Sequence, residues 1–168
     1  MQDEAARTAR QGGGKRSSQG WLWLAMLAVA LLLYVATLAP GVVWQDGGEA
    51  QLRCLLRQLR DPRSLARSHI VYYLLAWLLE PFPLGDAARK ANLLAAVAGA
   101  VTVANIGWAA AALTRRRLAG LVGAAIVMVS HTHWQMSTSA EVYTVSLALL
   151  SGQVCLLIRF CRDGRVVW

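Results

Sequence analysis

Four uncharged apolar stretches dominate the chain, separated by short charged blocks. They are Trp21–Ala39, Leu93–Thr114, Leu118–Ala140 and Val142–Ile158, and only His131 and His133 interrupt the third with groups that can take a charge. The first would rise about 28 Å as a helix at about 1.5 Å per residue, close to the ~30 Å of a bilayer core. The pattern therefore predicts spans over about 21–39, 93–114, 118–139 and 142–158. Trp21 and Trp23 sit at one end of the first span as interfacial anchors. Thr37-Leu38-Ala39 loosely fits a signal cleavage site, but the apolar run is longer than the 7–15 residues of a signal core, which favours an uncleaved span.

Residues 40–92 form the long connection after the first span. Within it Leu52, Leu55, Leu56 and Leu59 follow the i, i+3, i+4, i+7 rule, with Arg53, Arg57 and Arg60 on the other face. This predicts an amphipathic helix in the headgroup plane, started by Asp46 or Gly48 and stopped by Asp61-Pro62. Ile70–Gly85 is apolar but short and carries Glu80, Pro81 and Pro83. Parity places it: if it lies at the interface, residues 1–20, Arg115-Arg116-Arg117 and the Arg159, Arg162, Arg165 cluster all share the cytoplasmic side, as the positive-inside rule requires. The prediction is an all-α membrane protein of about four spans. Residues 1–20 form a disordered basic tail, residues 40–92 an external loop with interfacial helices, and residues 159–168 a second cytoplasmic tail.

Composition agrees. The 168 residues are 57% hydrophobic and 15% charged, well below the roughly 25% of a soluble domain. The net charge of +8 is spread around apolar segments rather than along one stripe, which argues against nucleic acid and for anionic lipid. Three cysteines without a C-x-x-C indicate neither a disulfide scaffold nor a zinc site. Small residues (Ala95, Gly99, Gly107, Gly120 and Ala124) recur in the spans and permit close helix contact.

On the four-span topology the ionisable groups other than Arg gather on the external face. Trp44-Gln45-Asp46-Gly47-Gly48-Glu49 emerges directly from the first span. Asp46 at a membrane surface is a candidate general base, against the plainer reading that it caps the next helix, and Gly47-Gly48 would let a ligand approach the backbone. Glu49 is a helix-start residue, or else a second acid or metal ligand. His69 stands before Tyr72 and Tyr73, and Glu141 opens the fourth span. His131-Thr132-His133 can share a metal only in an extended loop, because on a helix the rings point about 200° apart. Arg53 and Arg57 can bind a lipid phosphate or anionic head groups.

The order of these motifs resembles GT-C-type membrane glycosyltransferases, in the branch related to protein O-mannosyltransferases. The resemblance rests on Thr37-Leu38-Ala39-Pro40-Gly41-Val42-Val43-Trp44-Gln45-Asp46-Gly47-Gly48-Glu49, on a His followed by aromatics, on Asn92-Leu93-Leu94, and on Trp134 before Ala140-Glu141-Val142-Tyr143-Thr144. It implies a sugar donor linked to a polyprenyl- or dolichyl-type lipid phosphate, an acceptor hydroxyl, and transfer on the external face of the cell membrane. By the resemblance Asp46 is the base of the first external loop and Glu141 the second acidic position. Glu49 is then a further catalytic candidate, and His69, Arg53, Arg57 and Trp44 are candidates for binding substrate. No metal ligands are assigned, and whether a divalent metal takes part stays open. Two departures stand out: Gly47 where the family has Ser, and Ile70-Val71-Tyr72-Tyr73 where it has a Pro-rich stretch. Family members are several times longer, so the chain is expected to be an N-terminal module needing further spans or a further subunit, and inactive as a fragment alone. The competing expectation is a small non-enzymatic membrane protein serving as an assembly or transport subunit.

Overall fold

The computed structural model describes the backbone of residues 2–61, 63–65 and 68–163, and the side chains of 19–61, 63–65 and 68–162. Among these residues all regular structure is helical. The elements are α1 (Gln2–Ala36), α2 (Gln45–Leu55), α3 (Ile70–Leu78), α4 (Ala87–Thr114), α5 (Arg117–Val129), α6 (His131–Thr138) and α7 (Val142–Asp163). Three helical stretches are long and apolar enough to cross a membrane: Gln19–Ala36, Ala87–Thr114 and Val142–Arg162.

Helix α4 is the axis of the bundle, and its window is 61% buried against 17% for α1 and 11% for α7, which fits lipid around the outer two. Close contacts set the directions. A Cβ on Gly107 would meet Met26 Sδ at 2.4 Å and Ala124 Cβ at 2.9 Å, and one on Gly120 would meet Ala111 Cβ at 2.7 Å. One on Gly99 would lie 2.1 Å from Ser137 Oγ. Small residues thus let α1, α5 and α6 touch the α4 backbone, as the sequence led us to expect. Trp23 Nε1 donates to Asn105 Oδ1 at 2.9 Å while Tyr34, further along α1, lies against Gly99, so α1 runs antiparallel to α4. Asn105 Nδ2 donates to Ser151 Oγ at 3.1 Å, while Leu94 and Ala98 pack with Val142 and Val145, so α7 runs parallel to α4. Helices α5 and α6 return in series from the Arg115 end of α4 to its Asn92 end.

The ends of the bundle differ chemically. One carries Arg115, Arg116, Arg117, Arg159 and Arg162; the other carries the loop 37–44, α2, α3, and the α6–α7 junction. Short α3 spans nine residues, about 13 Å at ~1.5 Å per residue, and does not cross.

Four boundaries differ from expectation. Helix α1 begins at Gln2, so the backbone of 2–20, expected to be disordered, is helical. Glu4 to Gln11 are mostly strong helix formers, which lets the helix run outward from the apolar segment despite Gly12–Gly14. Helix α4 begins before Leu93 because Asp86 caps it, its Oδ1 accepting from Arg89 N at 2.8 Å. The expected third span is not continuous. Ser130 (φ −59°, ψ 123°) leaves helical geometry between α5 and α6, and Tyr34 Oη donates to the freed Met128 carbonyl at 3.1 Å. Finally, α2 ends at Leu55 rather than at Asp61-Pro62, and Pro62 lies outside the described residues. Arg57 takes the left-handed φ of 53°, while Arg57 N bonds Cys54 O at 3.3 Å and Gln58 N bonds Arg53 O at 3.0 Å. This is a Schellman stop built on Arg instead of glycine.

Candidate functional site

The loop 37–44 is drawn back across the top of the bundle. Ala39 N donates to Thr138 O at 2.8 Å, joining the end of α1 to the end of α6. From there the chain turns into α2 through Gln45, whose φ of 59° places a non-glycine residue in the left-handed region, a conformation costing about 1–2 kcal/mol. The strain falls next to Asp46, where functional sites often hold it.

Gly47 and Gly48 serve this turn. A Cβ on Gly48 would lie 2.3 Å from Val43 O; one on Gly47 would lie 2.6 Å from Val43 Cγ2 and 3.0 Å from Ala140 O. The space the sequence reading left for a ligand is filled by the protein's own backbone. The result is that the first turn of α2 sits on Ala140, itself fully buried. Asp46, exposed on that turn, is thereby brought beside Glu141. Burial first, and the Asp46 charge second, push the Glu141 carboxyl above its ordinary value of 4.5. Burial disfavours the ionised form and a neighbouring anion adds to the effect. Asp46 does not cap α2: Trp44 occupies the cap position, and no side chain caps the helix.

His69 precedes α3, half-buried, and its ring meets Tyr143 edge to face at 6.2 Å between centroids. Tyr143 lies two residues after Glu141 and is 51% exposed. Asp46 thus lies near Glu141, and His69 meets Tyr143 two residues further along the Glu141 segment. Trp44 stands 93% exposed beside this group in sequence.

The other expected residues belong elsewhere. Arg53 is buried on α2 rather than free on a polar face. It pairs with Glu49 Oε1 at 2.7 Å and Asp61 Oδ2 at 2.8 Å. Arg63 also bonds Glu49 and reaches Asp61 Oδ1 at 3.4 Å. Contact with Arg53, above all, holds the Glu49 carboxyl below its ordinary range; a backbone bond from Arg63 does the same for Asp61. Glu49 and Arg53 thus anchor the loop after α2. Arg57 is exposed and pairs with Glu80. Leu52, Leu55 and Leu56 are exposed, matching a helix whose apolar face meets lipid.

His131 and His133 lie on α6, the first exposed and the second buried with its Nε2 3.2 Å from Gly99 O, so they do not face one site. Among the described residues no three His, Cys, Asp or Glu side chains are grouped to hold a metal ion.

Two residues matter that the sequence reading passed over as chemistry. Asn92, with no exposure, and Gln51, 4% exposed, form a buried amide pair under the 39–43 loop. A buried amide at the mouth of an apolar helix was the available signal, since such groups must be satisfied from within the protein.

The fold and site define an all-helical membrane-protein module with two acidic loops at one end. Residues 69–165, more than half the chain, match the family described as "Protein O-mannosyl-transferase TMEM260 N-terminal domain", and the chain belongs to that family. A curated relative, mouse "Protein O-mannosyl-transferase TMEM260", is 25% identical over 142 residues, which cover 82% of this chain and 19% of the relative. A match that long leaves out less than a fifth of this chain, so it takes in the Asp46 stretch from whichever end it starts. The chain thus spans about a fifth of the relative's length. No solved structure matches it.

Proposed function

We propose that the chain is the N-terminal module of a membrane glycosyltransferase that moves a sugar from a lipid-phosphate donor to an acceptor hydroxyl. The relative's name points to mannose as the sugar and to a protein hydroxyl as the acceptor. The observation that carries the reading is the juxtaposition of Asp46 and Glu141 at the end of the bundle opposite the Arg clusters. That end would be external and both termini cytoplasmic, in the cell membrane, with the donor carried on a polyprenyl- or dolichyl-type lipid.

In this mechanism Asp46, solvent-exposed, takes the proton of the acceptor hydroxyl. The acceptor oxygen attacks the anomeric carbon, the bond from that carbon to the phosphate oxygen breaks, and its electron pair leaves with the lipid phosphate. Glu141, which holds its proton to higher pH than an ordinary carboxyl, would donate a hydrogen bond to the developing charge. His69 and Tyr143 wall the site on the α3 side. The spans that longer relatives carry would complete the donor pocket.

The test is Asp46→Asn in the full-length protein, assayed in membranes with polyprenyl-phosphate mannose. Transfer should fall by about 10²- to 10⁴-fold, the range for loss of a positioned base, with membrane insertion unchanged. Transfer at the parent level would overturn the assignment.

A further inference from the structure

We infer that Asn92 and Gln51 form a positioning clamp that sets the Asp46 loop against the Glu141 loop, an inference that rests on the transfer reading above. Asn92 Nδ2 donates to Ala39 O at 2.9 Å and to Gly41 O at 3.0 Å. Its Oδ1 accepts from Gln51 Nε2 at 2.8 Å. Gln51 Nε2 also reaches Gly41 O at 3.2 Å and Ala88 O at 3.4 Å, while its Oε1 accepts from Val43 N at 3.0 Å.

The geometry explains why amides are needed at both positions. The loop presents two carbonyls and one N–H to the bundle, so it asks for donors and an acceptor together. Two linked amides supply both, and no carboxylate or apolar side chain does. The same residue, Ala39, that offers its oxygen to Asn92 gives its N–H to Thr138 O at the end of α6. One residue is thus tied both to α4, which carries Asn92, and to the segment leading to Ala140 and Glu141. The clamp holds the loop below Gln45, where the strained turn begins, and the turn then lays Gly47 on Ala140. Neither amide is placed to touch a reacting atom, because both are buried beneath the loop. Their effect on transfer passes through the position of Asp46, and a displacement of about 1 Å there would cost on the order of a hundredfold.

Two variants of the full-length protein test this. Asn92→Asp removes the donors to Ala39 and Gly41, and Gln51→Met removes both functions of the second amide at similar size. Each is assayed for transfer from polyprenyl-phosphate mannose and by hydrogen exchange of peptides covering 39–46. Exchange in 39–46 should become about tenfold faster, while that of 94–113 stays at the parent rate. For transfer, kcat should fall by on the order of a hundredfold, with the donor KM within about twofold. In Asn92→Asp the shortfall relative to the parent should narrow as pH falls, because the protonated carboxyl regains one donor. Unchanged exchange in both variants overturns the clamp, and so does an active parent whose variants keep the parental kcat. A parent without transfer overturns instead the reading on which the inference rests.

Discussion

Asp46 sits beside Glu141, and its charge is the second cause, after burial, that keeps the Glu141 carboxyl protonated above its ordinary range. The two causes separate experimentally. In Asp46→Asn the infrared carboxyl band that Glu141→Gln identifies should titrate at lower pH than in the parent, yet still above 4.5, because burial remains. The sign for stability follows. A carboxyl raised in the fold supports it below the ordinary pKa and withdraws that support as pH rises through the raised value. Glu141→Gln should therefore flatten the loss of thermal stability on the alkaline side of that range.

Acid should act in the opposite sense on the anchor after α2. Glu49 and Asp61 are held below their ordinary values of 4.5 and 3.8, so their contribution is present above those values and lost as pH falls through the lowered ones. Hydrogen exchange across 53–65 should accelerate only once pH falls below those ordinary values, before exchange in α4 changes.

The two arginines once equivalent as phosphate ligands should part company. Arg53→Leu takes from Glu49 and buried Asp61 the buried one of the two arginines they share and should lower the melting temperature. Arg57→Ala breaks an exposed pair with Glu80 and should cost no more than about 1 kcal/mol. Thermal unfolding in detergent measures both.

Glycine replacements should rank by the space around them. Gly48→Ala meets Val43 O and Gly47→Ala meets Val43 and Ala140, so each should destabilise by about 1–3 kcal/mol and reduce transfer. Gly41→Ala meets nothing within 4 Å and should keep parental stability and activity.

Thiol labelling checks the two-ended arrangement. An impermeant reagent added to intact cells should label Trp44→Cys but spare Arg116→Cys and native Cys161, which lie at the opposite end. Cys54 should stay silent, since burial pushes its thiol up to about 12. External labelling at Arg116→Cys would reverse the orientation proposed above.

Hydropathy made the helices and their order legible, because the energy of apolar segments in lipid depends on composition and length rather than on partners. The same local rules placed α2 and α3 in the first long loop and brought the acidic residues to one end. They could not foresee the Schellman stop at Arg57, which lacks the usual glycine, or the break at Ser130, where Tyr34 takes up the Met128 carbonyl.

The sequence by itself determined that this is a helical membrane protein whose acidic loops share one face, since charge and hydropathy act residue by residue. Only the tertiary structure decided which of those acids belong together. Asp46 comes near Glu141 because glycine-sized positions let α2 rest on Ala140 and because Asn92 and Gln51 hold the preceding loop. Glu49 and Arg53, as prominent in the sequence, are turned toward each other and Asp61 instead. Such pairings depend on contacts between residues far apart in the chain, which no local pattern encodes.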